Sequence, residues 1–464
     1  MSLLVEILPI RDTFWLMLPA NVLLLVLIPW GLSRAVAKPG LERRYFLLST
    51  YLCIATGLGI VALYNLVYGG GDYKAYEKGT IALVHVAYRD PAFAWDLAQN
   101  FSYRRGSEAL SQIRQAISSA PEFDNLIFYL GYGKPERVVM LYFATLGLPG
   151  GGDFVFITLM QAVLSSLIHF KFAQVLVARY DALSRPLYQV ALFIPGVLIW
   201  GTAVSKDSIL LNAILLIVIA ALRPKQTLRH PIWLGLLVLH IMLAYLIRPF
   251  VLTVLLPLTL LFILQRNLQV LSGSVRYLVQ PVVYGLTGIG IIVVIAARSE
   301  VIAQEAGQIT QQAVVASSFQ TRQALQDRGE TSSAYTLGDY SPTPAGILAT
   351  FPIATATSLF RPLPWEVRNP LMIGNMLESL GLLLATLYVL VRLGPLRLAR
   401  TISADPFLVF CLLFTLLYGF LVGFTSGNYG SLWRYRIPIV VFFPVLLVVA
   451  NSAVSARKHL APAV

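Results

Sequence analysis

The chain has 464 residues, 57% of them hydrophobic and only 12% charged, with a mean hydropathy of +0.73 and a formal charge of +13. That apolar content exceeds what soluble domains need, and repeated runs of about 18 or more apolar residues read as transmembrane helices, so a soluble globular protein is excluded. A basic surplus of this size would suggest nucleic acid in a soluble protein; here its distribution between loops carries the information.

In chain order, eleven spans are expected at residues 13–33, 45–68, 153–176, 186–204, 207–222, 230–247, 249–265, 277–297, 370–391, 406–424 and 437–453. The start, MSLLVEILPIRD, lacks a basic region and a small-residue cleavage site, so the first helix is expected to be retained. One set of alternate loops (34–44, 177–185, 223–229, 266–276, 392–405 and the tail after 453) carries 16 Lys/Arg against 3 Asp/Glu. The other set, with the long loops 69–152 and 298–369, carries 18 of each. Basic short loops stay cytoplasmic, which puts the N-terminus outside and the C-terminus inside. The expected fold is an all-α polytopic membrane protein, one transmembrane domain over 1–464 with two large outer loops.

The first outer loop opens GGGDYKAYEK, where Gly69, Gly70 and Gly71 free the backbone just before Asp72. Asp72 is a candidate base or metal ligand; the alternative is a flexible exit turn with a solvated carboxylate. EALSQIRQAISSAPEFDNLIFYLGYG has helical apolar spacing and is expected to lie on the outer surface. RVVMLYFATLGLPGGG is too short for a span and suits a re-entrant or interfacial helix.

WGTAVSKDS places Ser205 to cap a helix whose first turn holds Lys206 and Asp207. The free N–H groups and the Lys206 charge suggest an anion site, against the plainer reading of an interfacial anchor. Arg248 sits in a tight Ile-Arg-Pro-Phe turn, where snorkelling is the simple alternative. Residues 299–345 are polar, with a weak helix at 309–326, and suit a cover or tether.

LFRPLPWEVRN adds Arg361, Trp365, Glu366 and Arg368, its prolines holding an extended or turned backbone. Asn375 and Glu378 share a face of the next span, and an intramembrane carboxylate must face the bundle interior or a wet cavity. Glu378 is thus either a catalytic group or a buried partner for an arginine. GNYGSLWRYR, before the last span, adds Asn428, Arg434 and Arg436. Arginine's planar fork suits bidentate phosphate recognition, and neighbouring Tyr and Trp faces suit sugar rings or lipid-level anchoring. Cys53 and Cys411 lie within apolar runs, and His85, His169, His240 and His459 lack ligand spacing, so no metal is expected. A Gly-rich nucleotide motif and an internal repeat are not found.

The order of these motifs resembles that of bacterial O-antigen and exopolysaccharide polymerases (Wzy-type) and, more broadly, GT-C glycosyltransferases. The likeness runs over nearly the whole chain. It rests on the GGxD-like loop, W-G-x-x-x-S-K-D-S, I-R-P-F, F-R-P-x-P-W-E-x-x-N followed by N-x-x-E, and N-Y-G-x-x-x-R-Y-R. It implies polymerisation of polyprenyl diphosphate-linked oligosaccharide repeat units at the outer face of a bacterial inner (cytoplasmic) membrane. No cofactor or nucleic acid is implied; membrane lipid and a chain-length regulator are possible partners. The resemblance implies a base or metal-ligand role for Asp72 and diphosphate recognition by Arg434 and Arg436; with Glu378 from the residue reading, the catalytic candidates are Asp72, Glu378 and Arg434. Lys206, Arg248, Arg361, Trp365, Glu366, Asn428 and Arg436 are the expected substrate contacts. Asp72 follows the second span, whereas the corresponding GT-C carboxylate follows the first. Two alternatives stay open: a single-sugar GT-C transferase using a polyprenyl phosphate donor, and a flippase for lipid-linked oligosaccharides.

Overall fold

The computed structural model describes residues 17–68, 72–92, 134–268, 335–338 and 344–459. The expected span at 277–297, the surface helix within 108–133 and the weak helix at 309–326 lie outside these residues. Every regular element among the described residues is a helix. Among the described residues six helices are long and apolar enough to cross a membrane, and a bent pair near the C-terminus makes a seventh if it counts as one span. The chain is an all-α polytopic membrane protein.

The helices used below are α1 (Met17–Val36), α2 (Leu41–Leu63), α3 (Asp72–Arg89), α4 (Lys134–Gly147), α5 (Phe154–Arg179), α6 (Ser184–Leu192), α7 (Pro195–Trp200) and α8 (Lys206–Leu222). They continue with α9 (Pro231–Ile247), α10 (Pro249–Leu268), α11 (Phe351–Phe360), α12 (Leu371–Leu393), α13 (Pro395–Ala404), α14 (Pro406–Thr425), α15 (Tyr429–Tyr435) and α16 (Ile437–His459). The expected span at 186–204 is not continuous, because the chain breaks between α6 and α7. Pro195 has no N–H to offer the helix before it, and its ring clashes with the preceding turn. The segment 351–360, taken from sequence as part of an outer loop, is a helix packed lengthwise on α14.

By internal contacts the chain divides into two units. The first comprises Met1–Lys171, Leu198–Ala213 and Val238–Arg248. Its core gathers Leu24, Cys53, Ile54, Phe156, Leu159, Ala162, Val163 and Leu198. Lipid tails are as apolar as leucine, so helices here associate through close packing and internal hydrogen bonds rather than through water exclusion. Both are present. A Cβ on Gly79 of α3 would lie 2.5 Å from the Met140 sulfur on α4, so glycine lets the two helices close. Gln161 Nε2 donates to the Ser165 and Ser208 hydroxyls at 3.0 and 3.1 Å, and Asn212 Nδ2 donates to Ser165 at 3.0 Å. α3 and α4 pack against each other as a helix pair.

The second unit comprises Phe172–Val197, Ile214–Leu237 and Pro249–Val464, with α14 as its centre. One face of α14 stacks Phe407, Phe410, Phe414 and Tyr418 with centroids 5.2–5.9 Å apart, and Phe442 of α16 meets Phe410 and Phe414 edge-on. Another face is small. A Cβ on Gly423 would lie 1.9 Å from the Ala354 carbonyl oxygen, so only glycine admits α11 at this distance. At the N-terminal end of α14, Asp405 accepts from the Phe407 N–H at 2.9 Å and pairs with Arg179 at 2.7 Å. At the other end the chain turns directly into the candidate site.

Candidate functional site

The local sequence after α14 explains how the site is built. Gly427 takes φ +66, a left-handed conformation that reverses the chain cheaply only for glycine. Asn428 then caps α15, its Oδ1 accepting from the Ser431 N–H at 2.8 Å. The carboxamide expected to hold substrate thus has its oxygen engaged in the cap. Pro438 cannot donate to the Arg434 carbonyl, so the helix breaks at Arg436, and α15 and α16 meet at 61°. The bend turns Trp433 and Arg436 inward, while Arg434 remains half-buried on the same short helix.

Two levels of charge follow. At the more buried level, Arg436 is 0% exposed. Its Nη2 donates to Glu378 Oε1 at 2.9 Å and to the Asn375 carbonyl at 3.3 Å. Its Nη1 donates to the Ser379 hydroxyl at 2.7 Å, to the Arg361 carbonyl at 3.0 Å and to the Ser358 carbonyl at 3.4 Å. The second Glu378 oxygen accepts from the Gly196 N–H at 2.7 Å. Both carboxylate oxygens are therefore occupied, and the geometry of Glu378 is that of a buried partner for an arginine. A Cβ at Gly196 would lie 2.7 Å from Glu378 Oε2 and 2.9 Å from Trp433 Nε1, so this glycine gives the carboxylate its room. Asn375 Nδ2 donates to the Tyr429 carbonyl at 3.0 Å, tying α12 to the start of α15.

At the less buried level, Arg361 follows α11 and Glu366 closes the short turn Pro364–Glu366. Glu366 Oε2 accepts from the Leu363 N–H at 2.7 Å, and Oε1 accepts from the Tyr429 hydroxyl at 2.6 Å. Arg361 Nε donates to both Glu366 oxygens, at 2.9 and 3.2 Å, and Nη2 also bonds Oε1. The Tyr335 and Tyr429 rings lie 5.6 and 5.5 Å from the guanidinium carbon. The Arg361 side chain keeps 27% of its surface exposed, and among the described residues nothing is hydrogen-bonded to its Nη1. Burial alone would raise the Glu366 carboxyl. The hydrogen bonds from Arg361, Tyr429 and Leu363, with the Arg361 charge, outweigh it and hold the group below its ordinary value. Burial alone would lower the Arg361 guanidinium, and its Glu366 contacts more than reverse this. The result is a charged, oriented arginine with one edge clamped and the other open. Trp365, 79% exposed, stands in the same turn.

The first unit holds the remaining predicted cations. Ser205 caps α8 as its sequence suggests, with the Ser208 N–H 3.4 Å from its hydroxyl oxygen. Lys206 Nζ lies 3.2 Å from Glu136 Oε1, and Arg248 Nη1 lies 3.1 Å from Asp207 Oδ1. The expected anion site is thus a pair of ion pairs, each cation facing a carboxylate. Asp72 is the first residue of α3. Among the described residues no three His, Cys, Asp or Glu side chains are gathered as metal ligands.

Against protein-family models, curated proteins and solved structures, the chain finds no match. Its chemistry rests on its own residues. Of the predicted set, Arg361, Trp365, Glu366, Glu378, Asn428, Arg434 and Arg436 belong to the second unit; Asp72, Lys206 and Arg248 belong to the first. Sequence reasoning missed Tyr335, Ser358, Ser379, Tyr429 and Gly196 as site components. Ser379, next to Glu378 and four residues after Asn375, and the Pro195-Gly196 pair inside an apolar run were the readable signals.

Proposed function

We propose that this protein is a membrane glycosyltransferase that polymerises polyprenyl diphosphate-linked oligosaccharide repeat units at the outer face of a bacterial inner membrane. The observation that carries the reading is Arg361: half-buried, oriented by Glu366, flanked by two tyrosine rings and an exposed tryptophan, in a chain of apolar helices. A clamped guanidinium with an open edge suits a phosphate oxygen, and the aromatic faces suit sugar rings. The proposed topology has eleven spans, the N-terminus outside and the C-terminus inside, with the loops 69–152 and 298–369 on the outer face.

In the reaction, a hydroxyl at the non-reducing end of one glycan attacks the anomeric carbon of another. The new C–O bond forms as the bond from that carbon to the diphosphate oxygen breaks, and the polyprenyl diphosphate leaves with the bonding electrons. The hydroxyl proton passes to a carboxylate and then to water. Both Glu378 oxygens are already engaged, by Arg436 and by the Gly196 N–H. Arg361 stabilises the charge growing on the leaving diphosphate, and Arg434, on the adjoining short helix, is its proposed second cation.

Mass spectrometry of polyprenyl-linked glycans in a deletion strain tests the reading, with the surface polysaccharide profiled alongside. Complete single repeat units with no long polymer support it. Units lacking one sugar indicate a single-sugar transferase, units retained inside indicate a flippase, and unchanged glycans and polymer refute all three. In the complemented strain, Arg361→Lys should lower polymer yield by about 10²-fold, the typical cost of losing one well-placed donor to a developing anion.

A further inference from the structure

We infer that Arg436 is a positioning residue, not a substrate contact: with Ser379 it holds the main chain of Arg361, and so sets where the Arg361 guanidinium meets diphosphate. This rests on the reading of Arg361 given above. The carbonyl oxygen of Arg361 lies 3.0 Å from Arg436 Nη1 and 2.9 Å from the Ser379 hydroxyl. Ser379 in turn accepts from the same Nη1 at 2.7 Å and shares its one proton between the Arg361 and Asn375 carbonyls, each at 2.9 Å, so one guanidinium nitrogen reaches Arg361 both directly and through the hydroxyl. The other nitrogen of Arg436 is fixed by Glu378, whose second oxygen is held by the Gly196 N–H. Tension on the Arg361 carbonyl is thereby referred to three separate segments: α12, the bend between α15 and α16, and the start of α7.

The side chain of Arg361 is held by a different set of groups, Glu366 and the two tyrosines. Glu366 is itself tied to the Leu363 N–H two residues beyond Arg361. If the carbonyl at 361 moves, the side chain and its clamp move together, because both belong to the same short stretch of chain. Hydrogen bonds within 361–366 cannot fix that stretch relative to the helices; the Tyr429 hydroxyl ties Glu366 to α15 and the Arg361 N–H donates to the Thr357 carbonyl of α11, but neither can hold the Arg361 carbonyl directly. The Arg436–Ser379 contacts can, and their donor is wholly buried, where no water competes for it. A lysine at 436 could neutralise Glu378, but one ammonium nitrogen cannot also span to the Arg361 carbonyl.

The test uses the full chain in detergent micelles or nanodiscs, with inorganic diphosphate as the probe and thermal unfolding measured in parallel. Ser379→Ala keeps the Arg436–Glu378 pair; it should weaken diphosphate binding about fivefold and lower the melting temperature by a few degrees, because a buried hydrogen bond is lost. Arg436→Lys should weaken it about tenfold or more. In an Arg361→Ala background, Ser379→Ala should have no further effect, because its influence passes through Arg361. A purely structural role would instead give the same increment in both backgrounds and would overturn the inference. Unchanged affinity in Ser379→Ala and Arg436→Lys, with Arg361→Ala impaired, overturns it while sparing the function proposed for Arg361. Parent protein that binds no diphosphate, or binds it equally well as Arg361→Ala, refutes both. Should Arg436→Lys fail to fold, Ser379→Ala and the double variant decide the matter alone.

Discussion

Replacing Glu378 with glutamine exchanges one oxygen for an NH2 and changes little volume, and the structure allows its cost to be worked through. Arg436 is 0% exposed and its guanidinium has Glu378 as its ion-pair partner at 2.9 Å. The carboxylate accepts one donor on each oxygen, from Arg436 and from the Gly196 N–H. An amide has one oxygen, so whichever way it turns, its NH2 faces one of those two donors. The variant therefore loses the charge partner and one hydrogen bond together. Breaking a buried pair by removing one member costs about 3–5 kcal/mol, because the surviving charge stays desolvated. That corresponds to a fall of roughly 10² to several times 10³ in the folded-to-unfolded ratio. Glu378→Asp retains the charge, falls short by one methylene, and should cost less. Equilibrium unfolding in mixed micelles, read by tryptophan fluorescence and repeated across denaturant, measures both variants. A Glu378→Gln protein within about 0.5 kcal/mol of the parent would show that Arg436 is compensated elsewhere, and the account of the deep pair would be wrong.

Gly423→Ala drives a Cβ to 1.9 Å from a backbone carbonyl that no rotamer change can move; α11 must leave α14, at about 3 kcal/mol or more. A melting temperature equal to the parent's would refute that close approach. Tyr335→Phe removes the hydroxyl that donates to the Gly423 carbonyl at 2.7 Å and should cost about 1 kcal/mol while keeping the ring beside Arg361. Tyr335→Ala should in addition reduce polymer yield, and equal yields from the two variants would remove the ring from the site. Glu366 is held below its ordinary value of 4.5, so its contribution to stability is complete above that value in the unfolded chain and is lost as pH falls through the lower folded value. Melting temperatures measured from neutral pH downward should accordingly fall less in Glu366→Gln than in the parent; parallel curves would refute the coupling.

Much of the fold was legible because membrane insertion is written in local composition. Apolar runs announced α2, α5, α10, α12 and α14, and Ser205 caps the helix it precedes. The site was legible only by residue type. Arg361, Glu366, Glu378 and Arg436 were each marked, since charge beside or within apolar helices is costly and needs a reason. Their division of labour was hidden. Arg434 and Arg436 differ by two positions in one motif, yet Arg436 is buried against Glu378 because the bend at Pro438 falls there. Tyr335 gave no signal, being one tyrosine in a polar stretch whose partner lies 94 residues further on, at Tyr429.

By itself, then, the sequence determined that the chain is helical and membrane-embedded, which residues can carry charge chemistry, and where prolines and glycines interrupt the helices. These are properties of single segments: hydropathy, backbone freedom and capping act over a few residues. Only the tertiary structure decided which arginine is clamped and open and which is buried and structural. Pairing depends on which helices bring their small residues together, as Gly423 meets Ala354 and Gly196 makes room for Glu378. Such close approach is set by steric fit between segments far apart in the chain, and no local pattern encodes it.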